Sequence, residues 1–301
     1  MTGSSRQFCC ATAHTASEVL MASTTASFSP ILTPAQVGDL VIQPLIQQSV
    51  AGQVSTVIPI STHSYRVPLM TADPTASWTP EGAEIAASDA TLDELDITPS
   101  KLAALSVISS ELANDSTPAA AEAVGQGIVR DLSRKVDAAF FAATTTNGPG
   151  GLAGLSGVTA VSAGASYANV DAFSDALYAA ALHNAEIGAW VTNPTTAQAL
   201  AKVKQYGSAG SNVPLLGVDP TMPGQRQILG VPLIVSPYVS TTGNVVWGIP
   251  KAYSYFVLRQ DGQVESDRSV FFTSDRVAVR ATMRVGFGWP NPAAIVKITT
   301  S

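Results

Sequence analysis

Charge is scarce in this chain: only 13% of its 301 residues are Asp, Glu, Lys or Arg, against roughly a quarter in an average soluble domain. Apolar residues reach 46%, with a mean hydropathy of +0.23. A soluble surface this poor in charge is hard to cover, and burying it against partners is one solution, so an extensive oligomer is the first expectation. Basic charge is the scarcer sign, 16 Lys plus Arg against 22 Asp plus Glu for a net charge of −6. That balance argues against a dedicated nucleic-acid binder, which needs a basic face. Cysteine is nearly absent. Cys9 and Cys10 are adjacent, so they rarely bond to each other, and two cannot complete a zinc site. A fold without disulfide or metal suits a reducing cytoplasm.

Long apolar runs are missing too. The most apolar stretch, Gly230 to Pro250, is interrupted by Pro232, Pro237, Thr241, Thr242, Gly243 and Asn244, and reads as two short strands instead of a spanning helix. Arg6 is followed by no apolar core, which argues against a secretory leader. Catalytic patterns are absent as well. His14, His63 and His183 fall in an arm, at a strand edge and near a helix end, none with a Cys or a second His at ligand spacing. No Gly-x-Ser-x-Gly, Walker A or His-Glu-x-x-His motif occurs. The glycines from Asn147 to Gly154 follow a helix and include no Lys, so they read as a turn and not a phosphate loop. No cofactor or metal is expected, and the chain is not expected to be an enzyme.

What is present is a sequence of well-marked elements. Residues 1 to about 35, rich in Ala, Ser and Thr, cannot bury enough surface to order themselves and read as an arm. Met21 within it offers a second translation start. From Pro34 to Val50, the pattern Val37, Leu40, Val41, Pro44 and Leu45 resembles a short amphipathic helix or docking segment. Tyr65, Val67 and Leu69 alternate with Ser64, Arg66 and Pro68, and Leu95 and Ile97 restore that alternation after a gap. The gap holds Trp78, and from Asp73 to Asp96 there are seven carboxylates and no Lys or Arg. The whole reads as a long hairpin with an acidic, solvent-facing tip.

Ser116, Thr117 and Pro118 signal a helix start. Val124, Ile128, Leu132, Val136 and Phe140 then recur on one stripe, with Arg130, Asp131, Arg134 and Lys135 largely off it. The spacing predicts a helix over 118–143 of roughly 39 Å, stopped by Asn147-Gly148-Pro149-Gly150-Gly151. A compact α/β region follows. Its parts are a helix from Asp171 to Ala185 with Phe173, Leu177 and Ala181 on one side, a strand Ala189 to Thr192, and a helix capped by Asn193 with Pro194 first and Gly207 at its end. Strands are predicted at 228–235, 245–249 and 253–258, with a turn at Asp261-Gly262. Val277, Val279, Ala281, Met283, Val285 and Phe287 alternate with Ala278, Arg280, Thr282, Arg284 and Gly286, predicting a strand of about 35 Å.

In this order the elements resemble the major capsid proteins of tailed phages with the Hong-Kong-ninety-seven-type fold, over roughly residues 35 to 298. Ala76-Ser77-Trp78-Thr79-Pro80-Glu81-Gly82 is similar to the family's extended loop, the E-loop. Thr98-Pro99-Ser100-Lys101-Leu102, Val107-Ile108-Ser109-Ser110-Glu111-Leu112 and Asp115-Ser116 are similar to its return strand. Asp137-Ala138-Ala139-Phe140-Phe141 with Asn147 to Leu152 resembles the end of its spine helix. Leu229-Gly230-Val231-Pro232-Leu233-Ile234-Val235-Ser236 resembles a strand of the axial domain, and Asp275-Arg276-Val277-Ala278-Val279-Arg280 with Arg284-Val285 the long strand of the peripheral domain.

The resemblance implies an α+β phage capsid fold. Its parts would be an N-terminal arm over 1–50, the extended hairpin region over 51–100, a peripheral domain over 101–151 and 263–301, and an axial α/β domain over 152–262. It implies a virion shell protein assembled in the host cytoplasm as pentamers and hexamers. That icosahedral head would enclose double-stranded DNA without sequence-specific binding, with no membrane involved. A separate scaffolding protein, a portal and a decoration protein are the further partners implied. An encapsulin-like nanocompartment shell is the alternative, and a soluble hydrolase with an unrecognised site is a rival from another class. Some relatives crosslink a hairpin Lys to a neighbour's Asn. Here the first Lys is Lys101, beyond the tip, so although Asn291 lies near the C-terminus no isopeptide bond is expected. For the contacts themselves, Glu81, Glu84 or Asp89 of one subunit would pair with Arg268, Arg276, Arg280 or Arg284 of the next, the alternative being a solvated acidic loop. Trp78 is either an anchor in a neighbour's groove, the preferred reading, or a local packing residue.

Overall fold

The computed structural model describes residues 48–82, 84, 87–109, 118–205, 214–216, 226–267 and 269–300. The arm, the helix proposed around Val37 to Leu45, the Ser116-Thr117 cap and Arg268 lie outside the described residues.

A four-stranded sheet organises the first half of the fold. It runs in the order β1 (Thr56–Ile60), β10 (Tyr255–Asp267), β11 (Arg276–Gly288) and β4 (Ser100–Ser109). β1 is parallel to β10, and the other two pairings are antiparallel. Pro59 sits in β1, an edge strand, where its missing N–H costs no ladder bond. Side-chain alternation gives the sheet two apolar faces. From one face Phe256, Leu258, Ala281, Met283, Val285 and Phe287 pack with Val129, Leu132, Val136 and Phe140 of the long helix α2 (Pro118–Phe141). Phe140 is fully buried and meets Phe141 and Phe287 edge-on at 5.0 and 5.1 Å between ring centroids. Arg130, Asp131, Arg134 and Lys135 are exposed on the opposite side of α2, as the stripe predicts. A one-turn helix, α1 (Val50–Val54), lies against α2.

The sheet's other face receives the root of a hairpin formed by β2 (Tyr65–Ala72) and β3 (Thr91–Ile97), paired antiparallel from Tyr65 opposite Ile97. Ile97 packs with Ile60 and Val257, joined by Ile58, Tyr65, Val67, Leu95 and Tyr255. Gly286 and Gly288 allow this approach. A Cβ on Gly288 would stand 2.0 Å from Ile97 Cδ1, and one on Gly286 only 3.0 Å from Ile97 Cγ2. With both faces covered, Val285, Gly286, Phe287 and Gly288 are all buried despite the two-residue period.

The second sheet has six strands in the order β5 (Thr159–Ser162), β12 (Val296–Thr299), β9 (Val246–Ile249), β6 (Ala189–Thr192), β8 (Val231–Val235) and β7 (Gln227–Ile228). Val191, Trp247 and Ile249 join the cluster around α2. Trp190, Val246 and Ile298 pack on the other face with helix α3 (Asp171–Ala181) and with Leu200 of helix α4 (Pro194–Ala201). Asn193 caps α4 as its sequence predicts, its Oδ1 accepting the Thr195 N–H at 3.1 Å. No helix among the described residues is long and apolar enough to cross a membrane.

Several expectations are corrected. Asp261-Gly262 does not turn the chain. It lies within β10, where the register slips between Arg259 and Gln263, so the two residues mark a bulge that keeps a long strand in its ladder. The predicted strand 228–235 is instead a tight hairpin, because Leu229 and Gly230 both take positive φ, 52° and 81°. Helix α3 stops at Ala181 and buries Phe173, Ala176 and Ala180, while Ala181 is exposed. Helix α4 ends at Ala201, and Gly207 lies outside the described residues. Sheet membership also divides the chain differently from the expected boundaries. Tyr255 onward belongs to the four-stranded sheet, and Val296–Thr299 pairs in the six-stranded one.

Candidate inter-subunit surface

The hairpin leaves its sheet with an apolar root and becomes progressively exposed. Arg66 pairs with Glu94 at 3.5 Å, both more than half exposed, so the stem is not wholly acidic. Further out Met70 and Leu92 face each other across the strands, 58% and 69% exposed. Beyond Ala72 regular structure ends. The Ser88 hydroxyl ties the two arms together, accepting from Thr75 N at 2.9 Å and donating to Thr75 O at 3.3 Å. Glu81, Glu84 and Asp89 are exposed, and Trp78 is fully so, at 105%. Nothing among the described residues covers that indole. Like charges this concentrated repel unless cations reach them.

The cations stand on the four-stranded sheet. Alternation puts Arg276, Arg280 and Arg284 on the face of β11 that bears the hairpin root, away from α2. Cross-strand pairing sets Arg284 between Lys101 of β4 and Arg259 of β10. Arg259 was not among the residues singled out from sequence. Only the register reveals it, because it lies far from the others along the chain. Arg280 is less available than expected. It forms an ion pair with Glu265, its partner across the ladder. Asp267, two residues on, has its carboxyl held below the usual range by the Ser269 hydroxyl and N–H, with Arg280 adding to the effect. Beside the arginines, β4 is an edge strand whose Leu105 and Val107 are 65% and 40% exposed on this same face.

A second residue missed from sequence holds the platform together at the other face. Asp137 of α2 is 6% exposed. Its carboxylate accepts hydrogen bonds from Ser49 Oγ at 2.7 Å, Ala51 N at 3.0 Å and Val50 N at 3.1 Å. Ser49 Oγ in turn accepts from Gly52 N at 3.4 Å. The unpaired N–H groups of the first turn of α1 are thus satisfied by a side chain from another helix. One signal was available: Val129, Ser133 and Asp137 follow at four-residue spacing beside the apolar stripe, placing a carboxylate on a buried flank. Burial raises the Asp137 pKa above the usual carboxylate value, with the hydrogen bonds opposing.

Among the described residues no group of His, Cys, Asp and Glu could hold a metal ion. His63 and His183 are both exposed.

A helix-backed sheet, a projecting hairpin rooted on it and a second α/β layer define a capsid-type fold. The structure is similar to the capsid of an empty GTA particle computed with C5 symmetry, with a TM-score of 0.70 and 21% identity over 83% of this chain and 88% of that one. It is similar to Gordonia phage Cozz, with a TM-score of 0.67 and 18% identity over 84% and 87%. It is also similar to Mycobacterium phage Bobi, with a TM-score of 0.65 and 15% identity over 90% and 99%. No curated protein matches. The model of the phage capsid family matches residues 31–300, and the chain belongs to that family.

Replacing Asp137 with Asn turns one acceptor oxygen toward the α1 donors into an NH2 group, and is expected to destabilise the subunit by about 1–3 kcal/mol in chemical denaturation. Because the folded pKa is raised, the native subunit binds the proton more tightly than the unfolded chain. Wild-type stability relative to Asp137→Asn therefore increases as pH falls from neutral toward the unfolded carboxylate value, and is lost again as pH rises through the folded pKa. A stability difference that stays flat between pH 7 and 4 contradicts this.

Proposed function

We propose that the chain is the subunit of an icosahedral phage head, assembling in the host cytoplasm as pentamers and hexamers around double-stranded DNA. Membership of the phage capsid family over residues 31–300 is the observation that carries it. It also favours a phage head over a nanocompartment. Within this reading the four-stranded sheet with α2 is the peripheral domain and the six-stranded sheet with α3 and α4 the axial domain. The net charge of −6 supports containment of DNA by the wall over tight binding to it.

The hairpin supplies one contact. Its acidic tip would lie over the arginine-bearing sheet face of the next subunit, bringing Glu81, Glu84 or Asp89 to Arg276, Arg284 or Arg259, with Trp78 as an apolar anchor. Arg268 remains a further candidate partner, and Arg280 would have to share itself with Glu265. What supports this is the full exposure of Trp78 and the placing of Arg259, Arg276 and Arg284 on one face of the sheet. Each exposed pair contributes only about 0–1 kcal/mol, so the effect depends on repetition over the shell.

Electron microscopy of the purified protein in negative stain, with sedimentation and the absorbance ratio at 260 and 280 nm, tests the function. Closed shells or capsomer rings are expected, with nucleic acid in filled particles. A monodisperse monomer at high concentration contradicts it. For the hairpin, Glu81→Lys with Glu84→Lys is expected to weaken shells at low salt and to matter less as salt screens the contact. Unchanged shell stability at low salt would leave the acidic tip merely solvated.

A further inference from the structure

Two exposed features stand toward opposite ends of the six-stranded sheet. At one end β7 and β8 are joined by the two-residue turn Leu229-Gly230, with Ile228 opposite Val231. Both turn residues have positive φ, the geometry in which Asn-Gly is favoured at these positions and a bulky side chain at the first is strained. Leu229 nevertheless occupies it and is 48% exposed, with exposed Arg226 three residues before it. An apolar side chain held to solvent in a conformation that disfavours it is expensive twice over, and calls for a use.

Toward the other end, α3 packs on β5 and β12. Its residues Asp171, Asp175 and Tyr178, with its C-cap Leu182, recur at i, i+4, i+7 and i+11, forming one stripe on the side away from buried Phe173, Ala176 and Ala180. The stripe is acidic at the start and apolar at the end. Tyr178 and Leu182 are 74% and 84% exposed, and an open depression is lined by Asp175, Tyr178, Ala179, Ala181 and Leu182.

The two surfaces match in chemistry and in spacing. Three residues of extended chain separate Arg226 from Leu229 by about 10 Å. Seven residues of helix separate Asp175 from Leu182 by about 10 Å as well. We propose that the Leu229 turn of one subunit seats in the Tyr178/Leu182 depression of a second copy of this chain, with Arg226 against Asp175. Since the two patches differ and lie toward opposite edges of the sheet, the contact is head-to-tail and propagates around a ring. This rests on the capsid reading above and gives it one specific lateral contact.

The test is Leu229→Asn in the full chain. Asn suits the first position of such a turn, so the melting temperature of the unassembled subunit is expected to equal or exceed that of the unmodified protein. The concentration threshold for assembly, read by sedimentation, is expected to rise roughly tenfold or more, the scale on which one buried leucine counts. Arg226→Asp alone is expected to raise the threshold at low salt, and combining it with Asp175→Arg to bring it back down. Assembly of Leu229→Asn at the unmodified threshold overturns the proposal, as it would if another protein filled the depression. A double charge swap no better than Arg226→Asp also overturns it. An unmodified chain that never assembles overturns the capsid reading itself, and this contact with it.

Discussion

The seam between α2 and β11 is the constraint on which the other elements depend. Leu132, Val136 and Phe140 supply it from the helix, and Ala281, Met283, Val285 and Phe287 from the strand. Phe140 is the pivot, touching Phe141, Phe287 and Trp289 with centroid separations from 5.0 to 6.0 Å. Both elements are long, so the seam fixes a rigid platform and not a point contact. The hairpin is fastened to the back of that platform at Gly286 and Gly288. The chain leaves β11 through Trp289 and soon enters β12, tying the second sheet to the same strand. Asp137 fastens α1 to the front of the platform.

Given that platform, the low charge content acquires a physical meaning. Apolar side chains are spent on covering two faces of one sheet and two of another, and what remains exposed includes Met70, Trp78, Leu92, Leu105, Tyr178 and Leu182. Such residues scattered singly would be ordinary. Here several sit on projections and edges, where none of the described residues lies over them. Membership of the phage capsid family explains that arrangement, since a shell subunit completes its surface with copies of itself.

How much of this was legible in the sequence follows from the range of the interactions. β11 and the α2 stripe were readable because their patterns are local and strong. The hairpin strands were readable for the same reason, and its acids stood out through the absence of Lys and Arg nearby. β10 was cut short because Asp261-Gly262 is a good turn signal, and nothing local shows that a ladder on each side carries the strand through it. The Leu229-Gly230 hairpin was passed over because leucine hides a turn that asparagine would have announced. In α3 the buried face is largely alanine, so periodicity offered little contrast between Ala180 and Ala181. The assignment of Val296–Thr299 to the second sheet depends on pairing with Thr159 and Gly248, far away in the chain. The cation row was half visible. Arg276, Arg280 and Arg284 recur at every fourth residue of one strand, while Arg259 joins them only through register.

In the proposed shell the hairpin is rooted in its own subunit and covered by another. Amide hydrogen exchange of the unassembled subunit and of the assembled shell tests it most directly. The account predicts that residues 73–90 exchange rapidly in the free subunit and become strongly protected on assembly, while the α2–β11 seam is the slowest region in both. Equally rapid exchange of residues 73–90 in both states would contradict it, leaving the acidic tip and Trp78 as solvent-facing features of a shell held together elsewhere.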